Sequence, residues 1–60
     1  MAIILHRNGL RVFVNLSAID IIKERGDASA VIYFIGDADS FGVDESFDDI
    51  MKLIENEKHG

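Results

Sequence analysis

The sequence predicts a small α+β domain. It reads as an antiparallel four-stranded sheet of two hairpins, with a short helical turn between them and one C-terminal helix on one face. Three observations carry this. Asn8-Gly9 stands between two apolar, β-compatible runs. Ala30–Ile35 reads Ala-Val-Ile-Tyr-Phe-Ile, the most β-prone stretch of the chain. Phe47, Ile50, Met51 and Ile54 repeat at helical spacing behind a serine cap.

The first hairpin follows from Asn8 and Gly9. Both tolerate the positive φ of a type I′ turn, and they join Ala2–His6 to Leu10–Asn15. On the second strand Leu10, Val12, Val14 and Leu16 share one face, and Arg11, Phe13 and Asn15 the other. Asn15 and Ser17 supply side-chain oxygens that cap a short helical turn through Ser17–Asp20. Ile21–Glu24 is ambiguous, because Ile19 and Ile22 have helical spacing while Ile21-Ile22 is β-branched; a strand from about Ile21 to Arg25 is favoured, ended by a turn at Gly26-Asp27. Ala30–Ile35 is apolar on both faces, so both are expected to be covered. Gly36-Asp37-Ala38-Asp39 is turn chemistry, and Ser40–Val43 is expected to return as a short strand. Ser46 is the helix N-cap, and Asp49 three residues on makes an acidic variant of the capping box. Asp48 and Asp49 suit the positive end of the helix dipole. Residues 57–60 are expected to fray, with Gly60 terminating the chain.

Residues 1–60 fit a single domain. A chain this short buries only about 60% of its unfolded surface. Such domains usually need disulfides, a structural metal or oligomerisation. Cysteine is absent, which removes disulfides and cysteine-based zinc sites. Oligomerisation is the staple left. One helix covers one sheet face, so an apolar patch is expected opposite, and such patches mark interfaces. Phe13, Tyr33 and Phe34 are the candidate anchors.

The charge is −5, with 11 acidic and 6 scattered basic residues, which argues against nucleic acid as partner. The opening run Ile3-Ile4-Leu5 precedes its charge and is too short for a signal peptide or a membrane span. A cytoplasmic, soluble protein is expected.

No catalytic constellation emerges, and the chain is read as a non-enzyme without cofactor. Asp37, Asp39, Gly42 and Asp48 match four positions of a calcium loop. Phe41 stands where an oxygen ligand is needed, and Asp48 is too short for the bidentate Glu. A solvated turn and a helix cap account for these residues. His6 and His59 have no partners nearby in sequence. Ser46 reads as an N-cap, Ser17 as a turn cap and Ser40 as a strand-edge residue. Tyr33 lies in an apolar strand, where packing explains it.

Taken together, the chain resembles the small flagellar FlbD-like family of swarming-motility accessory proteins. The likeness rests on Ile3–Leu5 before Asn8-Gly9 and on a strand ending at Asn15, with Ile19 and Ile22 at fixed steps beyond it. Val31–Ile35 and Val43-Asp44-Glu45-Ser46, leading into Asp48-Asp49-Ile50 and Ile54, complete it. Leu16 departs from the family's frequent proline, and Gly36–Ser40 is longer and more acidic than its usual turn. The resemblance implies a non-enzymatic accessory protein that acts by binding. A weaker likeness, to LytTR-type DNA-binding domains, rests on the Asn15-to-Ile22 spacing and the Ser-capped helix. That likeness implies a regulatory or nucleic-acid-binding module as the alternative.

Overall fold

A computed structural model of the chain describes residues 1–59. The elements run β1 (Ala2–Arg7), β2 (Leu10–Asn15), a 3-10 turn (Leu16–Ala18), β3 (Ile19–Glu24), β4 (Ser29–Phe34), β5 (Ser40–Ser46) and α1 (Phe47–His59). The fold is α+β and antiparallel throughout, as the sequence predicts. The single four-stranded sheet is not what forms. The five strands divide into a hairpin, β1-β2, and a three-stranded sheet ordered β3-β4-β5.

Asn8 and Gly9 sit at φ 53° and 79°, the double positive φ of a type I′ turn. The resulting register pairs Ile3 with Val14 and Leu5 with Val12, which puts these four on the core face. Ile4 and Phe13 pair on the face turned away. Asn15 caps the 3-10 turn, its Oδ1 accepting the Ser17 N–H at 3.2 Å and the Ser17 hydroxyl at 2.9 Å. β3 starts earlier than the sequence suggests, at Ile19, and absorbs a bulge between Ile19 and Ile21. The bulge resolves the conflict between helical and β spacing there. It lets Ile19 and Ile22 both reach the core.

β4 is the central strand. Ala30 and Ile32 point inward, paired with Val43 and Phe41 of β5. β5 runs on to Ser46, beyond the expected Val43, and leads directly into α1. Ser46 Oγ accepts the Asp49 N–H at 3.1 Å, the predicted N-cap bond. The helix continues through His59, so it includes most of the tail expected to fray. Gly60, the last residue of the expected frayed tail, lies outside the described residues.

One core joins the three parts. The hairpin contributes Ile3, Leu5 and Val14, the larger sheet Ala30, Ile32 and Val43, and the helix Ile50. Leu5, Ile32 and Ile50 are the largest fully buried side chains, each worth about 1.5–3 kcal/mol of transfer free energy.

The missing ladder has a specific substitute. β1 lies alongside β5, but two consecutive carboxylates join them. Asp44 accepts the backbone N–H groups of Asn8 and Gly9 at 3.1 and 2.8 Å. Glu45 accepts the backbone N–H of His6 at 2.8 Å, and its other oxygen lies 2.7 Å from His6 Nδ1. At His6 a side chain thus takes a strand donor that a continuous sheet would give to a backbone carbonyl, while Asn8 and Gly9 are turn residues gripped from the side. These bonds join the hairpin to the larger sheet where no ladder does.

Candidate functional site

Two surface regions could carry function: the outward apolar faces, and a polar cleft at the β5 edge. The first begins at the Ile4–Phe13 pair. Phe13 is 73% exposed and Ile4 is exposed beside it. A groove of about 330 Å³ runs from this pair to the helix, lined by Ala2, Ile3, Ile4, Phe13, Leu53 and Glu57, among others. Met1, at the open end of the hairpin, is also exposed, and its carbonyl accepts the Leu16 N–H at 3.1 Å.

A second apolar strip lies on the outward face of the larger sheet. Ile21 is exposed and pairs with half-buried Tyr33 on that face. Phe34 lies on the opposite side. It packs against the core and meets Phe41 edge-on, with ring centroids 6.3 Å apart. Of the three aromatic anchors the sequence offers, Phe13 and Tyr33 thus face outward on different sheets, and Phe34 turns inward. Sequence alternation alone cannot find the Ile4–Phe13 pairing, which depends on hairpin register.

The cleft lies where the hairpin tip meets β5. Its volume is about 310 Å³, and Arg7, Asn8, Arg25, Ser40, Gly42, Val43 and Asp44 line it. Arg7 reaches it from the end of β1, where its guanidinium carbon sits 4.5 Å from the centroid of the Phe41 ring. Arg25 follows β3, yet its guanidinium lies over Gly42 of β5. Gly42 pairs with Val31 on the outward face, so the Arg25 side chain passes over β4 near Val31. Val31 is accordingly buried, although the helix is on the other face. A Cβ at Gly42 would stand 3.6 Å from an Arg25 guanidinium nitrogen, already in van der Waals contact. Anything larger would occupy the place of the guanidinium. The expectation that β4 is covered on both faces is met here by an arginine instead of an apolar layer.

Among the described residues, neither arginine has a carboxylate within ion-pair distance. Asp44, the nearest acid in the cleft wall, has both oxygens engaged by Asn8 and Gly9. The Ser40 hydroxyl has no hydrogen-bond partner among the described residues.

The other polar candidates are accounted for locally. Asp37 Oδ1 accepts the Asp39 N–H at 3.0 Å, a turn contact, and Asp48 lies in the first turn of α1. Asp27 binds the hydroxyl and N–H of Ser29, at 2.6 and 3.1 Å. These bonds, the hydroxyl first, hold the Asp27 carboxyl below the usual aspartate pKa. His6 and Glu45 form a part-buried pair, with Nδ1 2.7 Å from the carboxylate. Such a pair resembles the base and orienter of a hydrolase, but among the described residues no hydroxyl joins it. Ser17, Ser29 and Ser46 are engaged elsewhere, and Ser40 lines the arginine cleft. Among the described residues no three acids or histidines gather as a metal-ligand set. No helix among them is long and apolar enough to cross a membrane.

No protein-family model, curated protein or solved structure matches the chain.

Proposed function

We propose that the protein is a non-enzymatic interaction module that associates with a second copy of itself through the outward face of β1-β2. The carrying observation is the Ile4–Phe13 pair, with Phe13 73% exposed beside the apolar groove against Leu53. An exposed aromatic next to a groove supplies both anchor and socket on one surface. A twofold arrangement then lets each Phe13 enter the groove of its partner. β2 is also an edge strand, with one side free for main-chain pairing. The absence of cysteine and the small core supply the thermodynamic motive, since neither disulfide nor large core stabilises the lone chain.

The resemblance to FlbD-like motility accessory proteins supports a role in the cytoplasm exerted by binding, without cofactor or catalysis. Its check is whether flagellar motor genes adjoin the gene for this chain. The LytTR-type alternative has less support, because the charge is −5 and Asp48 and Asp49 occupy the helix start. A gel shift with DNA and RNA that weakens steeply with salt would favour it.

Light scattering at micromolar concentration tests self-association. The wild type is expected to be dimeric or larger. Phe13→Asp is expected to be a folded monomer, because Phe13 contributes little to the packing of its own chain. A wild type that stays monomeric, folded and soluble across the concentration range overturns the proposal.

A further inference from the structure

We propose that the cleft between Arg7 and Arg25 is a binding site for the phosphate group of a small phosphorylated ligand. Two guanidinium groups, reaching in from different sheets, line one cleft. Among the described residues neither has a carboxylate within ion-pair distance, although the charge of Arg25 is felt at Asp27 and Asp44 stands in the cleft wall. Two arginines in one cleft without a direct ion pair leave positive charge available to an anion.

Each exposed side chain has a surface to lie on. The Arg7 guanidinium lies over the Phe41 ring, and that of Arg25 over the bare backbone of Gly42. Such contacts narrow the rotamers sampled before a ligand arrives and so lower the entropy lost on binding. The choice of phosphate follows from oxygen count. A carboxylate has two oxygens in one plane, which a single guanidinium satisfies. A phosphate monoester presents three oxygens and up to two charges, more than one guanidinium satisfies, and the cleft offers it the Arg25 fork, the Ser40 hydroxyl and the added positive charge of Arg7. The volume of about 310 Å³ exceeds a bare phosphate and leaves room for the group attached to it. Asp44 in the wall sets a limit. Its charge opposes an anion on its side, so the phosphate must sit toward Arg25 and Ser40.

The test is an amide NMR titration of the full chain at constant ionic strength, with phenyl phosphate, inorganic phosphate, benzoate and a short single-stranded oligonucleotide. Phenyl phosphate is expected to give saturable shifts at Asn8, Ser40 and Gly42, and to bind at least about tenfold tighter than benzoate. Arg25→Gln should weaken that binding by about tenfold or more, while the protein stays folded at the titration temperature despite the cover lost over Val31. Gly42→Val, which displaces the Arg25 guanidinium, should also weaken it. Arg25→Lys keeps the charge but loses the fork, and should fall between wild type and Arg25→Gln. Equal binding of benzoate, absence of saturation, or an unchanged affinity in Arg25→Gln overturns the site. Binding of inorganic phosphate without phenyl phosphate, or tightest binding of the oligonucleotide, overturns the small phosphorylated ligand.

Discussion

Replacing Glu45 by alanine tests the carboxylate seam between hairpin and sheet. Its side chain is 16% exposed and bridges to His6 in two ways. One bond, from the His6 backbone N–H at 2.8 Å, is charge-assisted and part-buried, worth about 1.5–3 kcal/mol net. The other, to the ring at 2.7 Å, involves a side chain 43% exposed, so solvent screening holds it to about 0–1 kcal/mol. Glu45→Ala should therefore cost about 1.5–4 kcal/mol, the backbone donor dominating. For a domain this short each kcal/mol moves the melting midpoint by about 4–8 °C, so the drop should be roughly 6–32 °C. Glu45→Gln keeps an acceptor for the N–H but not its charge, and should lose about half as much. The assay is thermal unfolding followed by circular dichroism at fixed protein concentration, because self-association also moves the midpoint. A Glu45→Ala protein melting within about 2 °C of wild type would refute the reasoning. So would a Glu45→Gln protein no better than the alanine variant.

Three further outcomes follow from the same structure. Ala28 sits at φ 73° after the turn closed by its N–H to the Arg25 carbonyl, so Ala28→Gly should stabilise by about 0.5–1 kcal/mol, read by urea unfolding. Ile50→Ala removes the helix's fully buried side chain from the shared core; it should cost about 2–5 kcal/mol and leave the chain largely unfolded by circular dichroism. Asp27 should titrate below the ordinary aspartate range in a carbon-detected NMR experiment, and Ser29→Ala should raise it. Because the folded value is the lower one, the stabilisation is complete above the ordinary aspartate pKa and is lost as pH falls through the depressed value.

Much of this architecture is legible in the residues. Asn-Gly dictates the first turn because few other pairs adopt two positive φ angles cheaply, and the chain obeys. Ser46 announces the helix because its hydroxyl serves a backbone donor that nothing else reaches. The second hairpin is legible only in part. Gly26 marks a turn, but the positive φ falls on Ala28, a residue with no preference for it. The division into two sheets is hidden for a different reason. Asp44 and Glu45 look like ordinary acids between the expected strand and the helix, and their role depends on β1 arriving from 35 to 39 residues away. The arginine cleft is hidden in the same way. Arg7, Arg25 and Gly42 belong to three separate segments, and only the topology brings them together. In the aromatic strand 33–34, alternation separates Tyr33 from Phe34 but does not say which side the helix takes.

The seam between β1 and β5 also bears on how this fold can change over generations. A backbone ladder is indifferent to side-chain identity, so most substitutions leave it standing. Here the join is spelled by two adjacent acids, Asp44 and Glu45, each within one nucleotide change of many other residues. The angle and firmness with which the hairpin attaches are thus open to selection one codon at a time, while the ladders within each sheet stay as they are. The hairpin turn, the Arg7 side of the cleft and the Phe13 face all ride on that attachment. A lineage carrying this chain can retune the Phe13 face from a distance, at two positions that line neither the apolar groove nor the core.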